Sequence, residues 1–303
     1  MSLGAPLDLL ITRQLNVARF VLDKYAPSYG RWLLDWVSEN HSKKSFKLDP
    51  SWRLSPAPSL ASHQPTISDT LVDSLWAGDI TSVYGLRRFI AGNKVELDDG
   101  TILEVDAVVL CTGYKPDFSI TPDFSPLEQG AGKEAGINRA PLARLYQNIF
   151  PPQYADSLAY MNYAAITGGG NLIGTELMAV AIAQIWKGGF ALPSEDEMNV
   201  EIDQHHKWIR SLGTNDSVYT GIVRPGPWLA FLDRAADSGV EKNLGYGWEG
   251  WKFWMRDRKL SGLMMRGVQT PFMYRLFEGR RKKWDGARDA ILHSNEITKI
   301  YRG

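Results

Sequence analysis

Apolar and polar positions along the chain alternate with two different periods, which predicts a mixture of helices and short strands. Between residues 7 and 38, apolar side chains recur every three or four positions, and Pro27 and Gly30 interrupt the pattern. Two helices that form a hairpin are therefore expected there. A long apolar helix is predicted over residues 172–186, and Ser194 with the acidic residues after it begins another. From there to the end of the chain the pattern is mainly helical.

Strand patterns lie between these helical regions. Residues 94–105 predict a hairpin, because two alternating strands flank Asp98-Asp99-Gly100. The apolar run at 106–110 is too short for a helix and predicts a strand buried on both faces, as in a parallel sheet. Residues 40–47 are polar and predict a loop. Further short strands are expected at 67–72, 80–83, 86–91 and 158–167.

Length and charge narrow the class of protein. A chain of 303 residues with 44% hydrophobic content can form one large domain or two ordinary ones. A formal net charge of zero gives no electrostatic reason to expect nucleic acid or anionic lipid as a partner. The single cysteine, Cys111, excludes an internal disulfide and fits a reducing compartment. No signal peptide and no membrane-spanning run is recognised, so a soluble cytoplasmic protein is expected.

Several motifs, taken in order, resemble the flavin-containing monooxygenases, and their fungal members in particular. Residues 105–118, VDAVVLCTGYKPDF, are similar to the segment where that family returns from its NADPH domain to its FAD domain. The resemblance covers most of residues 45–190, and it implies FAD and NADPH as cofactors. If flavin binds, the residues expected near it are Thr112, Gly113, Tyr114, Gly170 and Asn171. Other stretches that resemble the family are 52–58, 68–69, 145–152, 156–160 and 175–177.

Neither of the family's two glycine-rich fingerprints stands in its expected place in this sequence. Such loops let backbone N–H groups and a helix N-terminus approach a pyrophosphate. One stretch that could mimic a fingerprint is Gly168-x-Gly170-x-x-x-Gly174, whose spacing is one residue too long. Phe277 begins like the family's FxGxxxHxxxW signature, but Lys283 stands in place of the histidine. The pattern therefore predicts no bound cofactor, with FAD and NADPH as the alternative.

The fold expected from this resemblance is α/β, a partial two-dinucleotide-domain flavoprotein fold with a largely helical C-terminal region. Residues 1–95 would hold a helical hairpin and a remnant of the NADPH domain. Residues 96–190 would hold a remnant of the FAD domain, and residues 191–303 the helical region. Missing βαβ units would leave sheet edges exposed, so a homo-oligomer or a partner chain is expected to cover them.

Four residues are candidates for catalysis. Glu176 lies in an otherwise apolar helix. A carboxylate there is either paired with a cation or kept neutral and able to donate a proton. Arg53 and Arg144 are the suggested partners for the paired form. His63 could act as a general base beside a proline-rich segment. The other two candidates, Asn162 and Tyr163, are polar groups expected near the same edge of the sheet as Glu176.

No metal site is predicted, and the tryptophans are expected mainly in the core and at interfaces, with an aromatic pocket as the second interpretation. Adjacent residues on a helix rarely bind one ion, so His205 and His206 favour a solvated helix face. The chain has 11 tryptophans, most of them after residue 180. Trp248, Trp251 and Tyr246 could line such a pocket for an apolar ligand.

Three functional hypotheses follow. The first is a flavin-independent enzyme of this lineage that cyclises or isomerises an apolar intermediate of fungal secondary metabolism, by a pericyclic reaction or cycloaddition driven by positioning. The second is a monooxygenase dependent on FAD and NADPH, complete only with a partner chain or a missing N-terminus. The third is a non-catalytic binding protein or an incomplete gene model. Because both fingerprints are absent, the first hypothesis is preferred.

Overall fold

The computed structural model describes residues 12–13, 22, 25–63, 68, 70–111, 116–127, 141–161, 163–166, 171–212, 218–245 and 247–300. The chain divides into two compact units. The first lies within residues 1–36, 58–65 and 118–303, and the second within residues 37–57 and 66–117. The predicted division into three parts stays a prediction.

The second unit contains a small antiparallel sheet. Strand β2 (Lys94–Leu97) is central and pairs with β1 (Leu86–Phe89) on one side and with β3 (Ile102–Glu104) on the other. The hairpin predicted over residues 94–105 is confirmed, and Gly100 supplies the positive φ (85°) that its turn needs. In order, the regular elements are α1 (Pro27–Phe46, which starts within the first unit), a 3₁₀ turn (Pro50–Trp52), α2 (Leu71–Ala77), β1 (Leu86–Phe89), β2 (Lys94–Leu97) and β3 (Ile102–Glu104).

Several predictions for this unit are wrong. The loop expected at 40–47 is helical as far as Phe46, and the end of the strand expected at 67–72 belongs to helix α2, which starts at Leu71. No strand forms at 80–83. The run at 106–110 is also not a strand, and it is exposed rather than buried. Within the described residues no strand lies beside that run, so its backbone has no ladder to join.

The first unit is built from a two-stranded parallel sheet and a set of helices. Strands β4 (Ala165–Ile166) and β5 (Ile222–Val223) pair in parallel, with Ala165 opposite Ile222 and Ile166 opposite Val223. The mainly helical C-terminal region is confirmed. The elements are a 3₁₀ turn (Pro152–Tyr154), β4 (Ala165–Ile166), α3 (Asn171–Trp186), α4 (Glu195–Leu212), β5 (Ile222–Val223), α5 (Pro225–Ala236), α6 (Val240–Leu244), α7 (Trp248–Arg256), α8 (Arg258–Arg266), a 3₁₀ turn (Pro271–Arg275) and α9 (Ala287–Ile300).

Helix α3 is the centre of the main core. It is apolar around most of its circumference, and it packs against α5. The predicted helix over residues 172–186 is thus confirmed, and Gly188 follows it with φ of 78°. The buried residues of this core include Leu177, Met178 and Ala181 of α3 and Leu232 and Ala235 of α5.

The start of helix α4 is also confirmed. Ser194 Oγ accepts a hydrogen bond from the Glu197 backbone N–H at 3.4 Å, while a Glu197 carboxylate oxygen accepts from the Ser194 N–H at 2.9 Å. This reciprocal pair satisfies donors that the first turn leaves free. The strand expected over 158–167, by contrast, is reduced to Ala165–Ile166.

In the part of the chain that the structure describes, no helix has both the length and the apolar composition to cross a membrane.

Both helices and sheets are present, so the α/β class expected from the sequence is confirmed in this coarse form.

Candidate functional site

The best-defined candidate site is the edge where strand β4 leads into helix α3. Strand β4 ends at Ile166 and α3 begins at Asn171. The carboxyl ends of parallel strands and the N–H groups at a helix start meet at such an edge, where ligands of α/β proteins bind. Residues 167–170 lie outside the described residues, and Gly170 with them. Nothing is described of the Asn171 side chain.

Gly221 brings two segments of backbone together beside this edge. Its carbonyl oxygen accepts from the Ala165 N–H at 2.8 Å and from Asn148 Nδ2 at 2.8 Å. A Cβ at position 221 would lie 1.9 Å from the carbonyl oxygen of Tyr163. Only glycine permits this approach, which sets β4 against β5.

Asn148 is a site residue that the sequence analysis missed. It is 1% exposed and adopts φ of 57°, a conformation that asparagine tolerates better than most residues. Besides its bond to Gly221, its Nδ2 lies 3.4 Å from the carbonyl oxygen of Ile222 and 3.5 Å from His205 Nε2. Asn148 therefore holds the loop that precedes β5. The only signal in the sequence is an asparagine within the family-like stretch 145–152.

Tyr163 lies at this edge, as predicted. Its hydroxyl oxygen accepts from the Ala143 N–H at 3.4 Å, and its ring packs against Phe118 with centroids 5.4 Å apart. Burial raises the pKa of the Tyr163 phenol, although hydrogen bonds from Thr220 and Ala143 oppose this. The phenol is therefore protonated at neutral pH. Asn162, the neighbouring candidate, lies outside the described residues.

His63 reaches the same loop from a different part of the first unit. The ring is half-buried and stands edge-on to Tyr219 with centroids 6.2 Å apart. Its Nδ1 lies 3.0 Å from Ser62 Oγ. The loop at 218–223 thus contacts both His63 and Tyr163. The general-base role of His63 stays a prediction.

The two adjacent histidines do not form a solvated helix face, and that prediction is wrong. His206 is 2% exposed, and its Nε2–H donates to the Ala143 carbonyl oxygen at 3.1 Å. His205 is half-buried beside Trp208, with ring centroids 5.4 Å apart. Both residues fall on the helix face that buries Ile202, because residues three and four apart share a face. Among the described residues, no three His, Cys, Asp or Glu side chains are grouped to hold a metal ion.

His205 makes folding sensitive to acid. Burial lowers its pKa from 6.5 to about 4, and the charges of His206 and Arg224 act in the same direction. The unfolded chain takes up this proton near pH 6.5, whereas the folded chain resists it until about pH 4. Stability is therefore lost as pH falls through this window, and we expect the loss from this residue to be about 2 kcal/mol.

Urea unfolding at pH 7 and pH 4.5 measures this effect. His205→Gln should flatten the difference between the two pH values relative to the unmodified protein. The same change at the exposed His293 should leave the difference as it was. An equal flattening in both variants would contradict the assignment to His205.

Glu176 is paired, which is one of the two alternatives expected for it, but with a different arginine. Nε and a terminal nitrogen of Arg275 contact its Oε1. Arg144 instead contacts Asp203 at 2.8 Å. The pair ties the second turn of α3 to the 3₁₀ turn at Pro271–Arg275. Proton donation by Glu176 stays a prediction.

The tryptophans proposed for a pocket face outward instead. Trp248 is 66% exposed and Trp251 is 53% exposed, because helix α7 turns Phe253 and Gly250 toward the protein. Tyr246 lies outside the described residues. Likewise, Thr112, Gly113 and Tyr114 fall within residues 112–115, which the structure does not describe.

A cavity of about 360 Å³ lies elsewhere in the first unit. Arg144 lines it, together with residues 123–127, 152–153 and Asn199. The guanidinium of Arg144 donates to Asn199 Oδ1 at 2.9 Å as well as contacting Asp203. The sequence analysis predicted no site residue in this cavity.

Known proteins resemble the chain along almost its full length. The family described as flavin-binding monooxygenase-like matches residues 1–301. Monooxygenase aurF of Gibberella zeae is 38% identical over 296 residues, which cover 96% of this chain and 56% of the relative. Dimethylaniline monooxygenase (N-oxide-forming) 4 of Oryctolagus cuniculus is 27% identical, covering 95% and 47%. Flavin-containing monooxygenase 5 of Homo sapiens is 26% identical, covering 97% and 50%. The chain thus spans about half the length of the curated relatives it matches.

These matches overturn two predictions. A flavin-independent cyclase or isomerase is wrong, since the relatives are named as monooxygenases. The expectation of no cofactor is also wrong, because the matching family is described as flavin-binding. The error came from treating the missing fingerprints as a lost cofactor, although the chain matches only about half of each relative. With its match extending over residues 1–301, the chain belongs to the flavin-binding monooxygenase-like family.

Proposed function

We propose that this chain forms the flavin-ring side of a monooxygenase that uses FAD and NADPH to oxygenate an apolar small molecule. The observation that carries the proposal is that strand β4, which pairs in parallel with β5, is the strand that precedes the apolar helix α3. Bound FAD would supply the chemistry of the reaction, in which NADPH is the two-electron reductant, one atom of O₂ is transferred to the substrate and the other is released as water. Membership of a flavin-binding family supports the same function.

The described residues fit the ring end of the cofactor. Helix α3 has no acidic residue in its first turn, so the partial positive charge of its N-terminus is not neutralised there. Such a helix start favours an electron-rich group, and the polar edge of a flavin ring is one. At this helix start, the residues proposed to hold the ring are Gly170 and Asn171.

The pyrophosphate end of FAD is not accommodated by these 303 residues. Neither glycine fingerprint stands in its expected place, and the stretch that has G-x-G-x-x-G spacing, Gly245 to Gly250, comes after helix α6 instead of after a strand. We therefore propose that the pyrophosphate loop is supplied by sequence outside this chain, either in the same polypeptide or in a second one. The proposed fold is accordingly the two-dinucleotide-domain flavoprotein fold, of which this chain supplies a part.

The chain's own side chains position the edge of the site. Asn148 and Gly221 hold the loop before β5 against Tyr163. The Glu176–Arg275 pair fixes α3 to the turn that packs beside it. Together these contacts fix the position of the start of α3. The residues at this helix start can hold the flavin ring in one place only if that position is fixed.

Titration with FAD tests the proposal. The 303-residue chain alone should bind FAD weakly. Co-expression with the part of monooxygenase aurF that this chain does not match should give stoichiometric flavin absorbance and NADPH consumption; the two proteins are 38% identical over the part they share. If the combined protein binds no flavin, the proposal is wrong.

A charge change at the helix start sharpens the test. Asn171→Asp places a negative charge next to the proposed ring site and should weaken FAD binding about fivefold. Gln184→Glu adds the same charge near the other end of α3 and should leave FAD affinity unchanged. If the two substitutions weakened FAD binding equally, the flavin would not bind at this helix start.

A further inference from the structure

Helix α7 presents an aromatic surface to solvent instead of to the core. Trp248, Trp251, Trp254 and Met255 are 66%, 53%, 40% and 57% exposed. The Trp251 and Trp254 rings contact each other, with centroids 5.7 Å apart. These four side chains, called the tryptophan face below, form an exposed apolar surface, and surfaces of this kind often mark interaction sites.

Helical geometry explains why the tryptophan face is continuous. At 100° per residue its four members fall within an arc of about 120°. The opposite side of α7 is the side that packs, with Gly250 buried and Phe253 edge-on to Phe277 at 5.0 Å between centroids. A surface helix normally has the reverse arrangement, with its apolar side inward.

Positive charge surrounds the tryptophan face. Lys252 Nζ lies 5.3 Å from the Trp248 ring centroid, and the Arg258 guanidinium lies 4.4 Å from that of Trp254. Residues 248–266, which comprise α7, α8 and Asp257 between them, carry five basic and two acidic side chains, a net charge of +3. One of the two acids, Asp257, is already bonded to Arg288 at 3.1 Å. This local charge is hidden in the neutral total for the whole chain.

We propose that the tryptophan face lies in the headgroup layer of a membrane that contains anionic lipid. Tryptophan rings favour that layer, and adjacent lysine and arginine side chains bind anionic headgroups. The helix lies along the surface and does not cross the bilayer. A second copy of the chain fits less well, because a symmetric contact would bring two positive rims together.

Flotation of the full chain with lipid vesicles tests this inference. Vesicles of phosphatidylcholine mixed with phosphatidylserine should bind the chain at least about tenfold more strongly than vesicles of phosphatidylcholine alone. Binding to the mixed vesicles should weaken as salt rises, because salt screens the attraction. Equal binding to both kinds of vesicle would overturn the inference.

Substitutions locate the binding surface. Trp248→Ser with Trp251→Ser should weaken binding to the mixed vesicles at least about tenfold. Trp36→Ser on α1 removes a ring that is 54% exposed, as a matched control, and should leave binding unchanged. Loss of binding in the control, or full binding by the double variant, would overturn the assignment to α7.

Two further measurements cover the other outcomes. Brominated lipid should quench the tryptophan fluorescence of the unmodified protein, which keeps the test valid if the double variant does not fold. Sedimentation should show a monomer at all concentrations. A dimer that disappears in the double variant would mean that the tryptophan face binds a second copy, and the membrane inference would be wrong.

Discussion

Replacing Gly221 with alanine should lower the free energy of unfolding by about 3 kcal/mol or more. The new methyl group would lie 1.9 Å from the Tyr163 carbonyl oxygen. That oxygen belongs to the backbone, so rotating a side chain cannot relieve the overlap. Either the β4–β5 pairing or the Asn148 hydrogen bond to Gly221 must give way. Urea unfolding followed by circular dichroism measures the change.

The same substitution within helix α8 is the control. A Cβ at Gly262 would meet only the end of the flexible Arg266 side chain, at 3.0 Å. Alanine has the higher helix propensity, so Gly262→Ala should raise the free energy of unfolding by about 0.5–1 kcal/mol. If Gly221→Ala were as mild as this control, the close approach of the two segments would not be part of the folded state.

Helices α3 and α4 could be predicted from the sequence because the residues that define them lie within them or next to them. An unbroken apolar stretch before Gly188 specifies α3. Ser194 and Glu197 specify the start of α4 through a local pair of hydrogen bonds. Contacts of this kind span a few residues, and sequence patterns record them directly.

Strands were predicted less well because they depend on distant partners. The run at 106–110 has the composition of a buried strand, yet Val109 is 81% exposed. The strand expected over 158–167 keeps only Ala165 and Ile166, the two residues that pair with β5. A pattern of apolar residues indicates what could be buried, but the pairing decides what is.

The candidate site shows the same limit. Tyr163 was predicted as a polar group near one edge, and it lies against the loop at 218–223. His63 was suggested separately, as a general base beside a proline-rich segment, and its contact with the same loop was not foreseen. Asn148 was missed because its role depends on a positive φ and on a contact 73 residues away. His206 was misjudged because a shift of one position along a helix decides whether a side chain faces solvent or is buried.

Replacing Ala181 with leucine should lower the free energy of unfolding by about 2–3 kcal/mol. Ala181 is on the side of α3 that is buried in the core shared with α5, and Ala181, Ala235 and Ala236 are all 0% exposed. Small side chains there let the two helices lie close together, so the larger side chain must separate them. Urea unfolding measures the loss.

Ala183→Leu is a matched control within the same helix. Position 183 is exposed, and leucine is nearly as good a helix former as alanine, so the change should stay within about 0.5 kcal/mol. In the combined protein that binds FAD, Ala181→Leu should also weaken flavin binding, because separating α3 from α5 displaces the start of α3. A stability loss without any change in flavin affinity would mean that the position of α3 does not control the ring site.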